Sequence, residues 1–256
     1  MRKILNIIFI FLLIIPLSGE NFTGIQIMEK VVKKTGWKDM EGEITMKITV
    51  RGRTRTRKIK VFSKKRTEDE SDMVMKFLYP PDVEGTGFLL IEHAKGEDER
   101  YLYLPALRRI KRIAASGKGG AFMGSDFSYY DIGKPKLKDW NYKNLGIVDF
   151  NGLKCYKVKA LPVNKQIEKD TGYSKIINWV DPEKWSIVHA EYYDRMGKIW
   201  KILEVKEIKN INGVWFQMHL IMKNVQGESV SEMKFENIEI NKGLSPKLFT
   251  KRYLMQ

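Results

Sequence analysis

The sequence predicts a mainly β protein built on one antiparallel sheet, and three observations carry that expectation. Apolar and polar residues alternate over many short segments. Turn residues separate the segments at hairpin-length spacing. No regular exchange of strand and helix patterns points to a parallel α/β fold.

The N-terminus opens with the positive stretch Met1-Arg2-Lys3, followed by an almost wholly apolar run from Ile4 to Ile15 and then Pro16-Leu17-Ser18-Gly19. That order is expected of a secretory signal peptide cut near Gly19. The apolar run is shorter than the ~20 residues a bilayer span needs. Residues 20–256 are then expected to form a single domain, 256 − 19 = 237 residues long. Cys155 is the only cysteine, so an exported chain of this kind has no internal disulfide and relies on its core. With no cysteine following the expected cut, the protein is expected to be periplasmic, soluble and not lipid-anchored. Its formal charge is +15. In an exported protein this points to anionic head groups or acidic protein surfaces, and away from nucleic acid.

The elements follow in order. Ile25, Met28, Val31 and Val32 fall at helical spacing over residues 24–34, with Gly36 as the stop. After Trp37 the period becomes two. Ile44, Met46, Ile48 and Val50 alternate with polar residues, Gly52 turns the chain, and 55–63 returns. Residues 73–79 form a strand stopped by Pro80-Pro81, followed by 88–92, 100–104 and 108–113. The C-terminal half repeats the pattern at 142–148, 154–161, 174–180, 187–193, 199–205, 214–224 and 229–240, punctuated by glycines. Ser245-Pro246 reads as a cap and first residue of a last short helical turn.

Residues 79–135 break this pattern. YLYLPALRRIKRI interleaves apolar residues with Arg108, Arg109, Lys111 and Arg112, and GGAFMGSDFSYYDIG places Phe122, Met123, Phe127, Tyr129 and Tyr130 on a glycine-flanked stretch. Such a segment is either a lid over a cavity or a plug filling one end of a β core.

Catalytic chemistry finds little support. His93, His189 and His219 are far apart and in no metal-like spacing. Cys155 sits mid-strand without an activating neighbour. Gly124-Ser125-Asp126 lacks the Gly-x-Ser-x-Gly elbow and its strand–turn–helix context. No catalytic residue, metal or cofactor is therefore expected.

The stretches FLYPPDVEGTGFLLIEH and YLYLPALRRIKRIAASGKGGAFMGSDFSYYD, with the later GYSKIINWVDPE and GLSPKLFTKRYL, resemble the outer membrane lipoprotein-sorting protein family, relatives of the LolA-type periplasmic carrier. The resemblance implies a curved antiparallel sheet of about eleven strands, near the number of segments above. It also implies a half-open barrel covered by the N-terminal helix and short lid helices. Its apolar hollow would receive the acyl chains of a lipid or lipoprotein. Some members are similar to accessory proteins of resistance-nodulation-division exporters, which implies hand-over to an inner-membrane exporter or an outer-membrane acceptor, with transient membrane contact.

A carrier hollow should be adaptable, which suits methionine. On that reading Met46, Met75, Met123, Met218 and Met222 face inward, with Ile48, Phe77, Phe88 and Leu90 from the early strands. Tyr101 and Tyr103, Phe216 and Leu220 complete the wall, Phe122 and Phe127 form the lid, and Arg108 and Arg109 meet a head group. An envelope lipid sensor or regulatory interaction module on the same scaffold is the alternative, and a hydrolase using Ser125 or Asp126 with a distant histidine is the least favoured reading.

Overall fold

The computed structural model describes residues 22–33 and 36–256. The expected signal segment 1–19 lies outside the described residues, as do Lys34 and Thr35.

The chain enters the sheet at its centre. β1 (Asp39–Val50) pairs with β2 (Arg53–Lys65), and hairpins add β3 (Ser71–Tyr79), β4 (Gly87–Ile91), β5 (Glu99–Leu104) and β6 (Arg109–Ile113), out to one edge. Residues 114–139 then carry the chain to the other edge. β7 (Trp140–Phe150), β8 (Leu153–Pro162), β9 (Lys175–Asp181), β10 (Ser186–Tyr193), β11 (Ile199–Ile211) and β12 (Val214–Asn224) lead back inward to β13 (Ser229–Ile240), which lies beside β1. The sheet is mainly β and antiparallel as expected, with thirteen strands in place of about eleven. Each apolar segment of the sequence forms its own strand, including the short β4 and the edge strand β6. Among the described residues three helices accompany the sheet: α1 (Gly24–Lys33), α2 (Lys165–Thr171) and α3 (Lys251–Leu254). The expected lid helices are only single 3₁₀ turns within an irregular segment, at Ala115–Gly117, Phe122–Gly124 and Leu137–Asp139.

A flat sheet of this size would span roughly 58 Å at the usual strand spacing. Instead, one buried cluster joins Ile44, Met75 and Phe88 with Ile176, Leu203 and Met222, from strands far apart in the sheet order. The sheet must therefore curl around that cluster. β1 supplies it with Met40, Ile44, Met46 and Ile48, which alternate with exposed or half-buried residues.

The outer face is covered too. The C-terminal segment lays Leu244, Leu248, Phe249, Tyr253 and Leu254 over Phe62, Val74, Leu89 and Tyr101. This corrects the expected place of Tyr101 and Tyr103. Leu102 faces the inner cluster, while both tyrosines point outward beneath the C-terminal segment. The Asp39 carboxylate anchors that segment by accepting hydrogen bonds from the Lys242, Gly243 and Leu244 amides at 2.8, 3.2 and 3.2 Å.

β6 and β7 are the two edges and do not pair, so the barrel is open. Residues 114–139 cross between them as a strap tied to the sheet by polar bonds. The Gly119 amide donates to the Asp170 carbonyl of α2 at 2.9 Å. The Arg57 guanidinium of β2 donates to the Met123 carbonyl. The Asp126 carboxylate accepts from the Ser231 hydroxyl at 2.6 Å and from Ser229, both on β13. Asp131 accepts from the Tyr173 hydroxyl at 2.9 Å, and the buried Lys201 amine of β11 donates to that hydroxyl at 3.2 Å. Lys136 pairs with the buried Asp98.

Two variants test the strap. A Cβ at Gly119 would lie 2.7 Å from the Thr171 carbonyl and 2.9 Å from that of Asp170. Backbone cannot yield there, so Gly119→Ala should cost about 1–3 kcal/mol in urea unfolding. Asp126→Ala strands two buried serine hydroxyls and should cost about 1–3 kcal/mol. Amide exchange over residues 121–128 should rise in that variant before exchange in the strands does.

Candidate functional site

The strap divides the interior into a filled part and an open part. In the filled part, Phe122 is fully buried, with its ring centroid 5.2 Å from Phe88, 5.5 Å from Tyr129 and 6.1 Å from Phe77. Met46, Ile48 and Leu90 belong to the same buried cluster. Protein side chains occupy this space, and Phe122 acts as a plug. Met123 adopts a left-handed backbone conformation (φ 50°) and offers its carbonyl to Arg57. Its side chain is only half-buried.

The open part is a cleft of about 410 Å³, within the usual range for ligand pockets. β12 supplies Phe216, Met218, Leu220 and Met222, since alternate residues of a strand share a face. Met233 and Phe235 of β13, Leu203 of β11, and Val61, Met73 and Met75 of β2 and β3 complete the walls. Phe127 and Ile132 of the strap form the roof. Of the residues expected to line a hollow, Met75, Phe127, Phe216, Met218, Leu220 and Met222 meet here. Met46, Ile48, Phe77, Phe88, Leu90 and Phe122 lie in the filled part instead.

Several cleft residues were not foreseen. Trp37, Trp185 and Trp215 line one end with Val31 of α1. The available signal was position: Trp37 and Trp185 shortly precede strands, and Trp215 is the second residue of one. Beside them lies a polar corner. The buried Glu92 carboxylate accepts from the Ser71 hydroxyl at 2.5 Å and from the Lys134 amide at 2.8 Å. The Lys134 amine stands 3.9 Å from Glu92. Burial pushes the Lys134 amine below its ordinary range, against the opposing pull of Glu92. Arg108 and Arg109 are exposed at the β5–β6 hairpin and the β6 edge, and neither lines the cleft. The expected head-group role thus has no geometric support at those residues, and the cation that does line the cleft is Lys134.

The residues a hydrolase would need are engaged elsewhere. The Ser125 hydroxyl donates to the Phe122 carbonyl at 2.7 Å, and Asp126 holds the strap to β13. Cys155 is buried on the outer face beside Trp179, and burial pushes its thiol up to about 11. His189 stacks on Phe150 on that same face.

Comparison with known proteins follows this geometry. A family model described as that of an uncharacterized protein matches residues 69–256. No curated protein matches the chain. Among solved structures, an outer membrane lipoprotein-sorting protein domain from Vibrio parahaemolyticus is 29% identical with a TM-score of 0.85, covering 91% of this chain and 98% of its own. A DUF1329 family protein from Desulfovibrio piger is 27% identical with a TM-score of 0.85, covering 90% and 97%. A LolA superfamily protein from Nitrosomonas europaea shares the fold at 18% identity and a TM-score of 0.71, covering 91% and 99%. Its fold is the one seen in the Vibrio parahaemolyticus domain and in the LolA superfamily protein, and the chain belongs to the family whose model matches residues 69–256.

Proposed function

We propose that this protein is a periplasmic carrier that holds an acyl chain of a lipid or lipoprotein in the cleft between the strap and β12–β13. The observation that carries this reading is the composition of the cleft wall. Met40, Met73, Met75, Met218, Met222 and Met233 converge there, half of the twelve methionines in the chain. Ordinary core packing distributes methionine sparsely, whereas an unbranched, polarizable lining adapts to tails of different length and kink. Each buried methylene of a tail favours the bound state by about 0.8 kcal/mol, so affinity needs no close shape match and release remains accessible. The name of the Vibrio parahaemolyticus relative supports lipoprotein as the cargo class. None of the described helices is long and apolar enough to cross a membrane. Hand-over to an inner-membrane exporter or an outer-membrane acceptor would complete the route.

The polar corner suits a tail that ends in an acid. An entering carboxylate or phosphate would meet the Lys134 amine while the tail lies along β12. Lys134 is the proposed head-group residue.

Mass spectrometry of an organic extract of the purified protein should find co-purifying lipid, and its absence would count against the reading. Met218→Trp fills the cleft and should abolish binding of a fluorescent fatty acid while the protein stays folded. Lys134→Gln should weaken a fatty acid about tenfold and leave the matching fatty alcohol unchanged in a competition titration. Equal losses for both would remove the head-group assignment.

A further inference from the structure

Five successive hairpin tips share one rim of the sheet: β5–β6, β3–β4, β1–β2, β12–β13 and β10–β11. They are contiguous. A Cβ at Gly85 would touch the Pro105 ring at 3.2 Å, Val50 pairs with Ser229, and the Gln226 amide reaches the Asp194 carboxylate at 2.8 Å. Each tip leaves large apolar side chains in solvent. Leu107 is 62% exposed and Met196 79%, and Val50, Leu78, Tyr79 and Val225 are all exposed as well. Exposed large apolar residues are ordinary when scattered singly, but here they line up along one edge of the molecule.

Arginine interleaves with them. Arg51, Arg53 and Arg55 follow one another around the β1–β2 tip, and Arg108 sits beside Leu107. Among the described residues none of these four guanidinium groups makes an ion pair or hydrogen bond. Many of the lysines elsewhere do, as at Lys60, Lys184, Lys206, Lys223 and Lys242. Acids are present on this rim too, Asp82 and Glu84 at the β3–β4 tip, Glu228 at the β12–β13 tip and Asp194, which is occupied by the Met196 and Lys198 amides of its own turn. On the opposite rim acids and cations are mixed and paired: the β2–β3, β4–β5 and β9–β10 turns carry Glu68, Asp69, Glu70, Glu97, Asp98 and Glu183 alongside Arg66, Lys95 and Lys184, and Arg66 pairs with Glu70 while Lys136 pairs with Asp98.

We infer that the arginine-bearing rim docks on an anionic lipid bilayer. Unpaired guanidinium groups would meet phosphates bidentately, and the apolar tips would seat among the acyl-chain ends of the headgroup layer. Neither set needs a partner of complementary shape, which separate tips on a curved rim do not provide. The opposite rim, where acids and cations pair with one another, points away from the same surface. The cleft opens beside that far rim, at Trp37, Trp185 and Trp215, so docking holds the opening toward the aqueous side. The inference does not depend on what the cleft holds. Vesicle binding reads the rim and fatty-acid titration reads the cleft.

Sedimentation with phosphatidylcholine vesicles, with and without phosphatidylglycerol, tests it on the full chain. The protein should associate with the anionic vesicles only, and less as salt rises. Arg51→Ala and Arg53→Ala should each weaken association about fivefold. Leu78→Ser combined with Leu107→Ser should weaken it further on the same vesicles. Lys242→Ala, which removes an exposed charge from the far rim, should leave it unchanged. These are surface positions, and unchanged melting temperatures confirm that each variant is folded. No association with anionic vesicles overturns the inference, as it would if the rim instead captured an acidic protein. Equal losses for Lys242→Ala and the arginine variants overturn it too, because net charge alone would then explain binding. So does an undiminished association of the leucine variant.

Discussion

A sheet that curls without closing has an apolar inner face, two unpaired edges and no partner for either. That constraint organises the molecule. Residues 114–139 leave one edge, cross the hollow and enter the other, and their own aromatic residues cover part of the inner face. Where Phe122 packs on Phe77 and Phe88, the interior is complete. Where the strap passes over β12 and β13, coverage is partial, and a cleft remains.

Burying such a strap raises a problem of hydrogen bonding, because irregular backbone under cover must find partners for its amides and carbonyls. The sequence solves it with polar side chains on inward strand positions that an ordinary core would fill with aliphatic ones. Arg57 and Ser231 lie on the inner face next to Ile59 and Met233 in the alternation. Lys201 is buried at one strand position that Leu203 and Val205 continue. Burial pushes its amine down, and Asp131 and Asp126 pull it back. Ion pairs of this kind add little net stability, but removing one partner is costly. They specify where the strap lies more than how tightly it is held.

The sheet was legible in the residues because the central strands have one phase of alternation. In β1 and β12 the apolar positions fall on alternate residues, and both were assigned to the correct face. In β5 the run Tyr101-Leu102-Tyr103-Leu104 is apolar in both phases, since the C-terminal segment covers its outer face. A strand buried on both sides carries no phase signal, and the tyrosines were placed inward. The motif around residues 122–127 announced a special segment, but one dimension cannot tell a lid from a plug. That distinction rests on Asp126 meeting serines 103 and 105 residues away. The polar corner was invisible for the same reason, because Lys134 and Glu92 are separated by 42 residues and join only through the strap.

The two strands at the middle of the sheet come from opposite ends of the fold, with Met40 opposite Ile240. Neither meander has a complete inner layer by itself, since β1 lacks its second neighbour until β13 arrives. A chain threaded into a compartment amino-end first would thus keep a long, greasy strand border uncovered for almost its whole passage. Such high contact order slows folding and lengthens exposure to misassociation. A molecule of this topology has good reason to need chaperoning of its own until its last strand arrives.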